Sequence, residues 1–140
     1  MQKLKIISVG KTKEKWLDDA IEEYLKRLTP ILEVSFTYVK DDEQLIKAVS
    51  KESNVVCLDV LGKMMSSESF SEFIHKKFLE GGSRLTLVIG GAEGLPSSFR
   101  SKYPLISFSL MTFTHQCIRL ILIEQIYRAF EIAKGTKYHK

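Results

Sequence analysis

The chain has 140 residues, of which 44% are hydrophobic and 27% are charged, as in an average soluble protein. This composition excludes a disordered chain, and the longest apolar runs, Val55–Leu58 and Leu120–Ile123, are too short for a membrane-spanning helix. Lysine and arginine exceed aspartate and glutamate by 21 to 17, a net charge of +4 that mildly favours polyanionic partners. The length predicts a single domain over residues 1–140.

The residues at the start of the chain and the cysteines suggest a location. Met1–Lys5 lacks the apolar core of a signal peptide, so we expect a cytoplasmic protein. Cys57 lies between two apolar residues and Cys117 precedes one, and both are expected to be buried thiols in a reducing compartment. The three histidines are scattered and the two cysteines are far apart, so we expect no metal site.

The first half of the chain alternates strands with helices. A β-branched segment predicts a strand over Leu4–Val9, and apolar residues at helical spacing then predict a helix over Trp16–Leu28. A second strand over Glu33–Val39 leads to a short helix, for which Asp41 is the expected N-cap. The apolar segment Asn54–Asp59 predicts a buried third strand.

The second half continues this alternation. Ser66 or Ser67 is expected to cap a helix that Gly81 and Gly82 close. In chain order, the remaining predicted elements are a strand over Leu85–Ile89, a helical turn opened by Pro96, a strand over Leu105–Phe108, and a long helix from after Thr112 to Lys134, ended by Gly135.

Regular alternation of this kind predicts an α/β fold with a mainly parallel sheet flanked by helices. Ligands of such sheets bind beyond the carboxyl ends of the strands. Three segments follow predicted strands there: Leu58–Asp59, the glycine-rich loop Gly90–Gly94, and Phe108–Phe113. We therefore expect these three loops to build the functional site.

The last helix is apolar around most of its circumference. Its charges Glu124, Arg128 and Glu131 occupy one narrow stripe, with Glu124 and Arg128 spaced for an ion pair. So apolar a helix needs cover on more than one side, which predicts a homodimer interface. The alternative is a helix covered entirely by its own domain.

Four features each allow two interpretations. The loop Gly90–Gly94 is either a plain turn or a close approach to a ligand. His115 either makes a hydrogen bond at a helix terminus or belongs to a site. Arg119 lies among apolar residues and needs an anionic or carbonyl partner, in a functional role or in an ion pair between subunits. The tail, Gly135–Lys140, is either a frayed terminus or a segment that contacts RNA.

The last third of the chain closely resembles the ribosomal RNA large subunit methyltransferase H family, of the SPOUT superfamily. The resemblance rests on Met111–Gln116 with Arg119, on Ile123–Phe130, and on the closing Tyr138–Lys140. Other segments agree with the family along the whole chain: Val9–Lys11, Leu58–Asp59 with Gly62–Lys63, Ser66–Phe70 and Val88–Leu95.

This resemblance implies transfer of a methyl group from S-adenosylmethionine to N3 of the pseudouridine at position 1915 of 23S ribosomal RNA, in the ribosome. It also implies a homodimer and an α/β fold with a C-terminal trefoil knot. The cofactor-binding residues that it implies are Leu58, Gly90, Phe108, Ser109, Leu110, Met111, Thr112 and Phe113.

On the substrate side, His139 and Tyr138 are the candidates for catalysis, with Arg119 or Lys137 holding phosphate. The tail of one subunit would then complete the site of the other. Two departures from the family pattern, Thr114 in place of proline and Thr136–Lys137 in place of a Glu-Pro pair, motivate an alternative: a ribosome-binding factor that kept the fold without catalysis. A small nucleotide-binding protein with no RNA partner is a third hypothesis.

Overall fold

A computed structural model describes all residues from Met1 to Lys140. Five strands and five helices alternate along the chain, as the sequence predicts. In chain order they are β1 (Lys3–Val9), α1 (Lys15–Leu28), β2 (Glu33–Val39), α2 (Asp42–Val49), β3 (Val55–Met64), α3 (Ser67–Glu80), β4 (Arg84–Ile89), α4 (Ser97–Lys102), β5 (Leu105–Ser107) and α5 (Cys117–Lys134).

The strands form one sheet in the order β2-β1-β4-β3-β5, and every neighbouring pair is parallel. The register places Leu4 of β1 beside Val34 of β2 and Leu85 of β4. All five strands therefore end at the same edge of the sheet. The α/β fold with a parallel sheet is confirmed.

Helices cover both faces of the sheet, and each face has its own apolar core. Along β1 and β4, alternate residues point to opposite faces: Ile6 and Leu87 belong to the larger core, and Ile7 and Val88 to the smaller one. The larger core lies under α1, α3 and α5, and the smaller one under α2 and α4.

No helix combines the length and hydropathy needed to traverse a bilayer.

Strand β3 continues past Asp59, where the sequence predicts its end. Ile106 of β5 pairs with Leu58 and again with Lys63, so the residues between these two bulge out of the ladder. A Cβ on Gly62 would lie 2.5 Å from the carbonyl carbon of Ile106, so only glycine fits there. The bulge carries Asp59 beyond the carboxyl edge of the sheet.

The predicted helix caps are present. The Asp41 carboxylate accepts a hydrogen bond from the backbone N–H of Gln44 at 2.9 Å, at the start of α2. At the start of α3 the cap is Ser66, whose hydroxyl accepts from the N–H of Ser69 at 3.1 Å. Gly135 ends α5 in the left-handed conformation, with φ of +73°.

Helix α5 packs against both α1 and α3 on one face of the sheet. It begins at Cys117, later than predicted, because the residues after Thr112 form a loop. Thr114 supports this start, since its hydroxyl accepts a hydrogen bond from the N–H of Cys117 at 3.1 Å. The domain itself buries residues such as Ile126, whereas Ile121 stays half-buried on the outer side.

Two burial predictions are wrong. Cys57 is buried, but Cys117 is exposed, because the first turn of α5 presents it on the outer side of the helix. Trp16 belongs to the apolar stripe of α1 in sequence, yet it is 61% exposed. The stripe that reaches the core begins one residue later, with Leu17 and Ile21.

Candidate functional site

A cavity of about 710 Å³ opens over the carboxyl ends of β3, β4 and β5. Its walls include the three segments that strand topology selects: the start of the bulge of β3, the glycine-rich loop after β4, and the segment after β5. The residues of the predicted set that line it are Leu58, Gly90, Phe108, Ser109, Met111, Thr112 and Phe113. Leu110 is absent from the lining and 79% exposed. The volume suits a small organic ligand of nucleoside size.

The glycine-rich loop is a tight turn that also forms a wall of the cavity. Gly94 donates its N–H to the carbonyl of Gly91 at 3.0 Å and has a φ of +91°. A Cβ on Gly90 would lie 2.5 Å from the carbonyl carbon and oxygen of Gly94. Gly90 is therefore needed because the loop folds back on itself, not to leave space for a ligand.

The segment after β5 is held open by hydroxyl groups. Ser107 donates its hydroxyl to the carbonyl of Ser109 at 2.8 Å, and the Ser109 hydroxyl accepts from the N–H of Met111 at 2.9 Å. The side chain of Met111 is 74% exposed and that of Phe113 is 39% exposed, both at the cavity. These exposed apolar groups offer a slot for a flat, apolar part of a ligand.

An ion pair lies in another part of the cavity wall. The Asp59 carboxylate is 5% exposed and lies 3.2 Å from the guanidinium of Arg100, which comes from α4. Its other oxygen accepts from the N–H of Leu61 at 3.1 Å. Sequence reasoning missed Arg100, because nothing in the sequence shows that α4 packs beside the bulge of β3. Asp59 can also accept hydrogen bonds from ligand hydroxyl groups.

His115 lines the cavity just before α5, rather than within its first turn. Burial lowers its pKa below the ordinary value of 6.5, and the nearby charges of Arg119 and Lys13 lower the pKa further. The ring is therefore held as neutral imidazole, which can accept a proton or a hydrogen bond. Its polar neighbour is the side-chain amide of Gln116, the N-cap residue of α5, at 3.4 Å.

Arg119 is completely buried and binds the end of β1. Its guanidinium donates to the hydroxyls of Ser8 and Thr12, each at 3.0 Å, and to the carbonyls of Val9 at 2.8 Å and Gly10 at 2.6 Å. The predicted carbonyl partner is thus present, and no carboxylate is among the partners. Burial lowers the pKa of Arg119, but an arginine so well bonded stays charged.

Gln116 fixes the same loop from the other side. Its amide nitrogen donates to the carbonyl of Lys11 at 2.9 Å, and its amide oxygen accepts from the N–H of Lys13 at 3.0 Å. Together, Gln116 and Arg119 bind the loop between β1 and α1 to the start of α5. The sequence signal for this loop is only the string Val9–Lys11, so its place beside the cavity was not predicted.

The tail is folded against the helices of its own chain. The Tyr138 hydroxyl donates to the Glu124 carboxylate at 2.8 Å, and the Tyr138 ring lies over the guanidinium of Arg128. The two ring nitrogens of His139 lie 3.0 Å from Arg128 and 2.9 Å from the Glu68 carboxylate. A frayed terminus is therefore the wrong interpretation.

This placement separates the tail from the cavity of the same chain. Neither Tyr138 nor His139 lines the cavity, although His115 and Gln116, which precede the same helix α5, do. Burial raises the pKa of the Tyr138 hydroxyl, and its hydrogen bonds with Tyr24 and Glu124 raise the pKa further.

No group of three or more His, Cys, Asp or Glu side chains is arranged to hold a metal ion.

Comparisons with known proteins identify relatives of the whole chain. A family model described as a predicted SPOUT methyltransferase matches residues 2–139. The chain is 57% identical over 140 residues to the ribosomal RNA large subunit methyltransferase H of Protochlamydia amoebophila, covering 100% of both chains. It is 44% identical over 158 residues to the protein of the same name from Halothermothrix orenii, covering 99% of each.

Solved structures agree on the fold. A probable methylase family protein from Haemophilus influenzae superposes with a TM-score of 0.55 at 12% identity, over 96% of this chain and 67% of that chain. TrmJ from Z. mobilis superposes with a TM-score of 0.52 at 16% identity, over 97% and 71% of the two chains. At such low identity the likeness establishes the fold alone.

Proposed function

The chain belongs to the ribosomal RNA large subunit methyltransferase H family of SPOUT methyltransferases, and we propose that it methylates N3 of a pseudouridine in 23S ribosomal RNA with S-adenosylmethionine. As a member of this family it is an rRNA methyltransferase. The observation that best supports the donor is structural: seven of the eight residues that the family resemblance assigns to cofactor binding line one cavity.

The residues around this cavity suit the proposed donor. Met111 and Phe113 offer apolar surface for a base, and the Asp59 carboxylate offers an acceptor for ribose hydroxyls. The turn at Gly90–Gly94 presents backbone groups to the same space. The donor, when bound, supplies an electrophilic methyl group on a sulfonium; the protein supplies position, which alone accounts for much of the rate of a two-reactant step.

The substrate side needs an acceptor for the proton of N3. Our candidates for the substrate side are Tyr138 and His139, with Arg119 or Lys137 on phosphate. Of the first two, His139 is the proton acceptor, because the raised pKa of Tyr138 keeps its hydroxyl protonated. The N–H donors of Arg119 are already bonded to the end of β1 and the loop after it. We therefore assign Arg119 a positioning role and assign the binding of phosphate to Lys137. Since the tail lies outside the cavity of its own chain, it serves the cavity of a second subunit.

The proposed second subunit is another copy of this chain. On the outer side of α5, Ile121 is only half-buried by its own domain. Leu61 and Met64, beside the bulge of β3, are 71% and 50% exposed. Apolar groups on this scale favour burial against a partner.

We also propose the C-terminal trefoil knot of the family. The path that the chain takes after β4 supports this knot. Strand β5 pairs on the far side of β3, and the chain then returns so that Arg119 reaches the end of β1. Such a route carries the last segment back across the sheet, past the loop after β4.

The decisive experiment is mass spectrometry of 23S ribosomal RNA from cells that lack the gene. We expect one methyl group to be missing from a pseudouridine and to return when the wild-type gene is restored. Stoichiometric binding of S-adenosylmethionine without any methyl transfer to ribosomes would instead favour the non-catalytic ribosome-binding factor. Thr114 gives that alternative no support, because it bonds the first N–H of α5.

A further inference from the structure

The loop between β1 and α1 exposes two positive charges and an indole beside the cavity. Lys11 and Lys13 are exposed, and neither takes part in an ion pair, whereas Lys15 is paired with Asp19 at 2.8 Å. Trp16, in the first turn of α1, is the only tryptophan of the chain and is 61% exposed. A large exposed aromatic group next to unpaired lysines is typical of a surface that binds single-stranded nucleic acid.

This loop is held in one conformation. Gln116 bonds the carbonyl of Lys11 and the N–H of Lys13, and Arg119 bonds the carbonyl of Gly10. A flexible loop of the same composition would lose conformational freedom on binding a partner, and this one has already lost it. The contacts therefore position the lysines, although neither Gln116 nor Arg119 needs to touch the partner.

The same contacts connect the loop to the cavity. Gln116 and His115 line the cavity, and Gln116 bonds the loop through both atoms of its amide. The target nucleotide has to reach the mouth of the cavity to meet the methyl group of the donor, and the loop lies on the Gln116 side of that mouth. Phosphates next to the target would then come within reach of Lys11 and Lys13.

We propose that Lys11, Lys13 and Trp16 form a contact surface for the RNA next to the methylated nucleotide. The two ammonium groups bind phosphates, and an unstacked base lies against the indole of Trp16. This inference rests on the proposed function, since it assumes an RNA substrate at the cavity. It adds a substrate-binding surface that lies outside the donor-binding loops and outside the tail.

The test measures binding of the full-length protein to ribosomes from a strain lacking the gene, by co-sedimentation at several salt concentrations. Lys11→Ala with Lys13→Ala should weaken binding at least tenfold. The slope of log affinity against log salt should become shallower by about 1.5, since each lost phosphate contact removes roughly 0.7–0.9. Lys11→Arg with Lys13→Arg should bind like wild type. The matched control, Lys47→Ala with Lys51→Ala, removes the same charge at two exposed positions, in the last turn of α2 and just after it.

The indole is tested by a pair of variants. Trp16→Ala should weaken binding at least fivefold, and Trp16→Phe, which keeps an aromatic face, should recover most of it. Circular dichroism verifies folding of each variant, and calorimetry with S-adenosylmethionine should give wild-type affinity. If Trp16→Ala is unfolded, Trp16→Phe and the lysine variants still decide the outcome.

Several results would overturn the proposal. One is wild-type ribosome binding, with a wild-type salt slope, in the double lysine variant. Another is equal loss in the two double alanine variants, which would indicate a general charge effect. A third is dissociation of subunits by Trp16→Ala in light scattering, with ribosome binding lost only in parallel, which would assign the indole to a second copy of the chain. Ribosome binding that depends on this surface, but without methyl transfer, would contradict the proposed function and leave this inference standing.

Discussion

Nε2 of His139 lies 2.9 Å from a carboxylate oxygen of Glu68, so the end of the chain contacts the first turn of α3. Nδ1 of the same ring lies 3.0 Å from Arg128 of α5. The imidazole thus bridges two helices, and the tail has a defined place on the outside of its own domain. To serve a second subunit, it must do so from this position or leave it.

Removal of Lys137–Lys140 should leave folding and donor affinity nearly intact and abolish methyl transfer. The deletion takes away the contacts of Tyr138 and His139 on α5, but no residue of either apolar core. Methyl transfer to ribosomes from the deletion strain, with calorimetry for S-adenosylmethionine, tests both halves. Full activity of the shortened chain would move the substrate-side role to His115, which lines the cavity.

Gly90→Val should weaken S-adenosylmethionine binding at least tenfold, or about 1.4 kcal/mol. The reason is that a side chain at this position collides with the backbone of Gly94, so the turn cannot close in its present form. Gly91→Ala is the matched control, because its new methyl group meets only the Val9 side chain, at 3.3 Å. Calorimetry that finds wild-type affinity in a folded Gly90→Val protein would remove this turn from the donor site.

Two substitutions on α5 should separate the inner side of the helix from the outer side. Ile126 is completely buried, so Ile126→Glu places an unpaired charge in the core and should cost about 4 kcal/mol or more. Ile121→Glu should leave the fold intact and dissociate the proposed dimer. Thermal denaturation and light scattering distinguish the two effects. A wild-type protein that is monomeric at micromolar concentration would refute the dimer.

His115 should make the folding stability depend on pH below 6.5. Its pKa is lowered in the folded protein, chiefly by burial, so the unfolded chain takes up a proton first as the pH falls. The free energy of unfolding should therefore decrease from pH 6.5 downwards, until the lowered pKa is passed. In His115→Asn this part of the decrease should vanish, whereas the two proteins should run parallel above pH 7.5. Urea denaturation at a series of pH values measures it; identical curves would show that His115 is not held neutral.

The two thiols should react very differently. Burial raises the pKa of Cys57 to about 12, with a smaller contribution from the charge of Asp59, so this thiol is scarcely ionised at neutral pH. Cys117 is exposed. A thiol reagent such as Ellman's should label one cysteine per native chain and two after denaturation. In Cys117→Ser, the native label should disappear; rapid labelling of this variant would place Cys57 nearer the surface.

Local patterns were enough to predict the elements of the fold. Caps such as Asp41 and Ser66 act on residues three positions away, and their effect is legible in sequence. The strand order is not, because β1 and β4 pair across more than 70 intervening residues, and no local pattern records that pairing. The bulge after Leu58 also cannot be predicted from the local sequence, since it arises only when β5 pairs twice along β3.

The site shows the same division. The three cavity loops follow from the rule that ligands bind at the carboxyl ends of parallel strands. The sequence predicts that Arg119 needs polar partners. It does not predict which residues these are, because they lie more than a hundred positions earlier in the chain. Cys117 and Trp16 each precede an apolar residue in sequence and are nevertheless exposed, since each lies in the first turn of a helix.

The late position of β5 and α5 has a consequence for synthesis on the ribosome. When β3 emerges, the apolar run Val55–Leu58 has no partner on either side, because β4 and β5 are made afterwards. The carbonyls of Val9 and Gly10 lack their hydrogen bonds from Arg119 for longer still, until Arg119 has left the exit tunnel. The nascent chain therefore carries an unpaired strand edge until β5 has emerged, and release before α5 is complete is expected to produce aggregation or degradation rather than a smaller folded protein.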